Sequence, residues 1–278
     1  RGGEQAGISS AEPFSTTRRM EFGLAATRLG YSTQVITSNG YTQPNVQNVP
    51  SPPPLYYGSA SIAYVGDNSY SAFTNPIQGS RYRLEVSPIV GSLTYTSLLA
   101  DYRKYFFMRP LTFAVRGMHY GRYGGSAEDS LHLYPLYLGE ETLIRGYGFG
   151  SILNNDCAAN PTLNCPAFQR LFGSRFALAS AELRIPVFGV PEYGLINFPY
   201  LPLTVAPFFD AGEAWSSSRP ASFSTDINQL NKSSIVMSAG LSARINLLGY
   251  AIFEAYAAHP FQRPGRGWVY GLQLAPGW

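Results

Sequence analysis

Residues 176–185 read "FALASAELRI", and this stretch decides the fold. The odd positions from 177 to 185 are all apolar, whereas Ser180, Glu182 and Arg184 lie on the opposite parity. A period of two is the pattern of a β-strand whose two faces meet different surroundings. Charges in mid-strand need water or partners. The stretch therefore predicts a strand with one apolar face and one wet, polar face.

The same alternation recurs along the chain, as in "SRYRLEVS" at 80–87 and "SIVMSAGLSARINL" at 234–247. Gly, Pro, Asn and Ser clusters separate the alternating stretches and predict turns. Long connections are predicted over 39–55 and 121–170, and no internal repeat is evident. Eleven strands are predicted, over residues 17–29, 31–38, 56–66, 80–90, 92–106, 110–120, 172–186, 201–214, 233–246, 249–259 and 267–276. Barrels formed by single bacterial chains usually have an even number of strands, so we expect that one of the eleven is wrongly assigned or that one further strand is missed.

A soluble sandwich and a transmembrane barrel both alternate, so two further features decide between them. The polar faces carry charges of both signs in mid-strand, and aromatic residues crowd strand ends, as in "LYY" at 55–57 and "KYFF" at 104–107. Mid-strand charges are typical of a water-filled barrel interior, and aromatic residues at strand ends are typical of the girdles at the membrane interfaces. The chain has no run of about 18–20 apolar residues, but a barrel leaves no such run. We predict an all-β, antiparallel transmembrane β-barrel of about 11–12 strands, closed because an open edge in lipid leaves backbone groups unpaired.

Composition argues against several other classes of protein. Charged residues make up 13% of the chain and the net charge is +3, with basic residues scattered singly, so no nucleic-acid partner is expected. His119, His132 and His259 are dispersed, and no GxSxG motif occurs. "GYGFG" at 146–150 lacks the spacing of a dinucleotide-binding motif. We therefore expect no enzyme activity, no metal and no cofactor.

Cys157 and Cys165 lie close together in a polar segment. Their spacing predicts a loop-tip disulfide in an oxidising compartment, worth about 2–3 kcal/mol in the chain-entropy description. Two free thiols are the alternative. The chain starts at Arg1 without a signal-peptide pattern, which indicates a mature chain or a piece of one.

Three stretches, "LIRGYG" at 143–148, "SAELRIPVFG" at 180–189 and "VAPFFDAGEAW" at 205–215, occur in this order. The series resembles the BamA/TamA superfamily of outer-membrane assembly and translocation barrels, also called the bacterial surface antigen family. The resemblance implies a long extracellular loop that folds into the barrel lumen. It also implies that an arginine at the loop tip is held by a glutamate and an aspartate on the next two strands. The implied clasp consists of Arg145, Gly146, Tyr147, Glu182 and Asp210.

Strand parity supports this arrangement independently of the resemblance. Glu182 shares a face with Arg184, and Asp210 shares a face with Thr204 and Ala206, so both carboxylates are expected on the interior face. A guanidinium can bind two carboxylates at once, which an ammonium cannot do. Two acids and one base leave a negative site that Arg184 or Arg244 can balance. The alternative is that Arg145 is a solvated loop residue.

The chain ends with "GWVYGLQLAPGW" at 267–278, in which alternate apolar residues share one parity. A closing strand with an aromatic last residue resembles the C-terminal signal of outer-membrane barrels. Glycines at 265, 267 and 271 either weaken the pairing of this strand or simply fit the membrane interface. The residues of the signal are Trp268, Tyr270, Leu272, Leu274 and Trp278.

Upstream, "YVGDNSYSAFTNPIQGSRYRLEVS" is similar to a strand pair of the same family, at Asp67, Pro76, Gly79 and Arg81. Five strands follow the arginine loop, as in the family, but only about six precede it where a sixteen-stranded member has eleven. Either the N-terminal part of the barrel is missing from this chain or the barrel is reduced. We expect residues 1–278 to be one barrel, the C-terminal part of a longer protein, without the periplasmic POTRA domains of many members.

The resemblance implies an integral protein of the bacterial outer membrane that assists insertion, assembly or translocation of outer-membrane or surface proteins. The expected partners are outer-membrane lipids and lipopolysaccharide, unfolded outer-membrane or passenger proteins, and periplasmic or membrane partner subunits. One alternative is a structural or anchoring barrel subunit of a larger complex without insertase activity. Another is a passive channel, which planar-bilayer conductance before and after deletion of 140–150 would test.

Overall fold

The computed structural model describes residues 2–37, 45–151, 166–226, 231–247, 249–263 and 265–274. Most of the described residues form β-strands, and nearly all of the strand pairs are antiparallel. A 3-10 turn at Phe149–Ser151 and the helix α1 (Pro166–Gln169) are its described helices, and neither is long and apolar enough to cross a membrane. The strands are β1 (Gly2–Ser15), β2 (Arg18–Gly30), β3 (Thr33–Thr37), β4 (Asn45–Val49), β5 (Leu55–Asp67), β6 (Tyr70–Ser71), β7 (Pro76–Gly91), β8 (Tyr95–Met108), β9 (Leu111–Tyr123), β10 (Leu136–Tyr137), β11 (Phe172–Gly173), β12 (Arg175–Gly189), β13 (Ile196–Asn197), β14 (Leu203–Trp215), β15 (Val236–Leu247), β16 (Ala251–Pro260) and β17 (Val269–Leu274).

One 13-stranded sheet forms the wall of the molecule. Its main path runs β1-β2-β5-β7-β8-β9-β12-β14-β15-β16-β17, with β6 and β13 paired to its sides. Sequential strands are therefore neighbours, joined as a meander, which is the topology of an up-and-down barrel. Within the described residues the sheet is not closed, since β1 and β17 each pair on one side only.

The predicted strand number agrees with this path, but one member differs. Six strands of the path precede the arginine loop and five follow it, as the sequence predicts. The strand predicted over 31–38 is wrong as a wall strand, because β3 pairs only with β4 in a separate hairpin. Its place is taken by β1, which sequence analysis missed. β1 is exposed along its whole length, so no buried face imposes an apolar alternation on its sequence.

Connections at the two ends of the wall differ in length. At one end, the turn end, β1 and β2 are joined through residues 16–17 and β8 and β9 through 109–110. At the other, the loop end, residues 124–174 join β9 to β12, and 216–235 join β14 to β15. Outer-membrane barrels have short periplasmic turns and long extracellular loops, and this wall has the same asymmetry.

A continuous polar face, here called the inner face, crosses the sheet from β7 to β15. Residues directly paired across successive strands define it, and they alternate with outward apolar side chains such as Leu84, Phe209 and Leu241, which are exposed. The row of paired residues is Arg81, Arg103, Arg116, Ser180, Asp210 and Ser238.

An apolar cluster beneath the long loop covers part of the inner face. Leu138, Ile144 and Tyr147 of the loop pack on Phe176 and Leu178 of β12, together with Leu171, Ala214 and Val236. Burial of these side chains, at about 25 cal/mol per Å² of apolar area, holds the loop inside the curved sheet. The arginine loop, residues 141–150, is therefore part of the core.

Candidate functional site

The side chain of Arg145 lies buried at the centre of the inner face, with 3% of the residue exposed. Its Nε and Nη2 donate to the two carboxylate oxygens of Asp210, each at 2.9 Å, in a bidentate pair. Its Nη1 donates to Glu182 Oε1 at 2.7 Å. The backbone N–H of Arg145 also donates to Asp210, at 3.2 Å. The structure thus brings together the arginine, glutamate and aspartate singled out in the sequence.

The loop tip is shaped by its neighbours as well as by charge. The guanidinium carbon of Arg145 lies 3.5 Å from the ring centroid of Phe208, a stacked arrangement that favours arginine over lysine. Gly146 has φ of +89°, and a Cβ there would lie 3.1 Å from Ala258 Cβ. Any other residue would be strained at this position. Tyr147 OH donates to Met237 O at 3.0 Å and accepts from Gln262 N at 3.2 Å.

Two further arginines and one further acid complete the cluster. Arg184 Nε donates to Glu182 Oε2 at 2.9 Å, and Arg244 donates to both oxygens of Glu182, at 2.9 and 2.7 Å. Glu254 accepts from Arg145 and from Arg244. All six side chains are almost fully buried. Three guanidinium groups face three carboxylates, so the formal charge of this six-residue cluster is zero.

Sequence analysis missed Glu254, although a usable signal was present. Glu254 is a single charge within the alternating stretch "AIFEAYAAHP" at 251–260, on the same parity as Tyr256. Its register partner on β15 is Arg244, which the sequence already placed on the inner face. Following that pairing would have supplied the third carboxylate.

The segment that joins β5 to β7 at the turn end contacts the same cluster. Asn75 Oδ1 accepts from Arg244 at 3.0 Å, and the carbonyl of Pro76 accepts from Arg184 at 2.8 Å. Thr74 and Thr204 join their hydroxyl groups at 2.6 Å. The arginine loop from the loop end and the Asn75 segment from the turn end thus contact the same cluster of charged side chains.

The other predicted positions are placed as follows. Asp67 and Arg81 form an ion pair at 2.9 Å between β5 and β7, and Gly79 has φ of +98°. Trp268, Tyr270, Leu272 and Leu274 are all outward and more than half exposed. Residues 157, 165, 276 and 278 lie outside the described residues, so the predicted disulfide and the terminal tryptophan stay predictions.

Glu128 ties together the loops at the loop end. Its Oε1 accepts from the hydroxyl of Ser174 and from the N–H of Ser217, each at 2.7 Å. Partial burial opposes ionisation of this carboxyl, but those hydrogen bonds and Arg175 outweigh it, so the pKa of Glu128 is lowered. No group of three or more His, Cys, Asp or Glu side chains suited to hold a metal ion occurs in the part of the chain that the structure describes.

A meander of antiparallel strands with an apolar outer face, and a long loop held against its charged inner face, is the arrangement found in the wall of outer-membrane β-barrels. The sequence model of the Omp85 superfamily domain matches residues 2–273. The chain belongs to the Omp85 superfamily. A search of the curated proteins found no match to it.

Proposed function

We propose that the protein is an integral barrel of the bacterial outer membrane that assists insertion, assembly or translocation of outer-membrane or surface proteins. The proposal rests on a contrast between two parts of the C-terminal half: the arginine loop, and β17, which lies at the edge of the sheet. The arginine loop is held by buried ion pairs, whereas β17, within the described residues, pairs with β16 alone. An edge strand presents unpaired N–H and C=O groups that can pair with another chain.

An incoming strand would add to the unpaired edge of β17 by β-augmentation, with backbone hydrogen bonds supplying affinity independent of sequence. The outward side chains Tyr270 and Leu272 would then lie beside the substrate strand at the lipid boundary. The arginine loop would keep the adjacent wall rigid while this edge is occupied. Lipids and lipopolysaccharide, unfolded outer-membrane or passenger proteins, and periplasmic partner subunits are the partners that this function requires.

Site-specific photo-crosslinking tests the proposal. The purified chain would carry a photoreactive residue at position 272, or at 241 as a control, in phospholipid vesicles, and a urea-unfolded outer-membrane barrel protein would be added as probe. Leu241 is also exposed and outward, but β15 is paired on both sides. We expect crosslinks at 272 and few at 241. Insertion of the probe without crosslinks at 272, or with equal crosslinks at 241, would contradict the proposal.

The anchoring alternative is favoured by the segments from both ends that meet at one charge-balanced cluster on the inner face. Depletion of the protein from its own bacterium separates the two functions. A general loss of outer-membrane proteins supports assembly, whereas loss of one complex alone supports anchoring.

A further inference from the structure

Glu254 contacts both the arginine loop and the closing strand. Its Oε1 accepts from Arg145 Nη1 at 3.2 Å, and its Oε2 accepts from Gln273 Nε2 at 3.3 Å. Gln273 lies on β17 as the direct register partner of Glu254. Arg244 donates to the same two oxygens, at 3.2 and 3.1 Å. A single buried carboxylate is therefore shared between the loop tip, the wall and the edge strand.

A second set of contacts connects the same two elements. Tyr256 is the register partner of Gly271, and a Cβ on Gly271 would lie 2.3 Å from the Tyr256 ring. The glycine thus leaves the space that this ring occupies. Tyr256 is buried in a cluster with Phe208 and Ala258. Phe208 stacks on Arg145, so the loop tip and β17 both contact one apolar cluster.

The distances rank the three acids that hold Arg145. Asp210 and Glu182 accept from it at 2.7–2.9 Å, and both lie on strands paired on both sides. Glu254 accepts from it at 3.2 Å and depends on β17 for one of its four hydrogen bonds. Because hydrogen bonds to charged groups strengthen as they shorten, the contact shared with the edge strand is the weakest of the three.

We propose that Glu254 is a positioning residue that couples the arginine loop to the closing strand. Gln273 holds the Glu254 carboxylate toward Arg145 while β17 is paired with β16. Departure of β17 releases that carboxylate to Arg244 and loosens the loop tip. Linkage makes the effect reciprocal: loosening of the tip must weaken the pairing of β17 by the same factor. The coupling is a property of the chain alone and does not depend on the function proposed above.

Hydrogen exchange of the full chain in lipid nanodiscs tests the coupling without any substrate. Gln273→Met removes the donor and keeps the length of the side chain. We expect it to speed exchange of the amides at 143–147 by about fivefold or more, the lower range of allosteric coupling. Arg145→Lys should in turn speed exchange of the amides at 269–274. Leu274→Ala, an exposed outward change on the same strand that keeps the Gln273–Glu254 hydrogen bond and the backbone pairing of β17, is the matched control and should leave exchange at 143–147 unchanged.

A double-mutant cycle with Glu254→Gln shows whether Gln273 acts through the carboxylate. In that background Gln273→Met should add nothing to exchange at 143–147. If Glu254→Gln does not fold, the comparison of Gln273→Met with Leu274→Ala still decides. Unchanged exchange at 143–147 in Gln273→Met would overturn the proposal, as would an equal effect of Leu274→Ala at the loop tip.

Discussion

The inner face has the same chemistry in the two halves of the sheet, but its charges are in different surroundings. On β2 and β7, Arg83 donates to Glu21 and Glu85 at 2.7 Å, with 38% of the Arg83 side chain exposed. On β12 and β15, Glu182 and Arg244 meet at the same distance with at most 2% exposed. The alternation of the sequence is alike in both places. The difference is the arginine loop, which covers only the second.

Burial beneath the loop changes how much an ion pair contributes to the free energy of unfolding. An exposed pair is screened by water and salt and contributes about 0–1 kcal/mol. A buried pair gives little net gain over apolar side chains, yet loss of one partner leaves an unbalanced charge and costs several kcal/mol. The two halves therefore predict different responses to the same kind of substitution.

Glu182→Gln should have the largest effect, because Glu182 accepts from Arg145, Arg184 and Arg244. Its loss leaves three guanidinium groups facing two carboxylates, which we expect to lower the free energy of unfolding by about 3–5 kcal/mol. Urea unfolding in lipid vesicles, followed by gel mobility, measures this. Ser180→Ala, on the same strand and face, is the control. Equal stability of the two variants would show that the cluster is not electrostatically coupled.

Arg145→Lys should have an intermediate effect, of about 1–3 kcal/mol, because it keeps the charge and loses the bidentate pair with Asp210 and the stacking on Phe208. The folded protein should lose heat resistance in gel-shift assays, and residues 141–150 should become accessible to protease. Arg145→Ala should be more severe, since it also removes the charge. Unchanged protease protection in both variants would mean that apolar packing alone retains the loop.

Glu21→Gln should have the smallest effect, within about 1 kcal/mol, because its partners Arg19 and Arg83 remain accessible to water. Any loss should disappear at about 1 M salt, where the Debye length is about 3 Å. The same urea titration at two salt concentrations tests this. A loss as large as that of Glu182→Gln would indicate that the open half is covered in the membrane.

The wall strands and the two acids at the centre of the cluster were predictable from the sequence for a physical reason. Period-two alternation reports burial directly, so it located "FALASAELRI" and placed Glu182 and Asp210 on one face. The family resemblance supplied Arg145, which no periodicity could connect to strands 37 and 65 positions away. β1 escaped because neither of its faces is buried, and its small and polar residues show no contrast.

Asn75 lies in the Asn-Pro pair of the stretch that resembles the family's strand pair, but no local pattern connects it to Arg244. Its amide is one polar group in a turn, and only the return of that turn into the wall brings it to Arg244. Glu254, by contrast, was available from strand register. Pairing rules thus extend prediction across neighbouring strands, whereas contacts made by loops that enter the interior need the structure.

The arginine loop and the Asn75 segment meet at one buried cluster of charged side chains, and this cluster constrains the order in which the protein folds. Asn75 and Arg244 are 169 positions apart, and Arg145 and Glu254 are 109 apart. Contacts between such distant residues form late, since loop closure must come first. The complete six-residue cluster can therefore assemble only when the chain has been completed through residue 254. A chain that ends before residue 254 would leave the guanidinium group of Arg244 with Glu182 but without its second carboxylate partner.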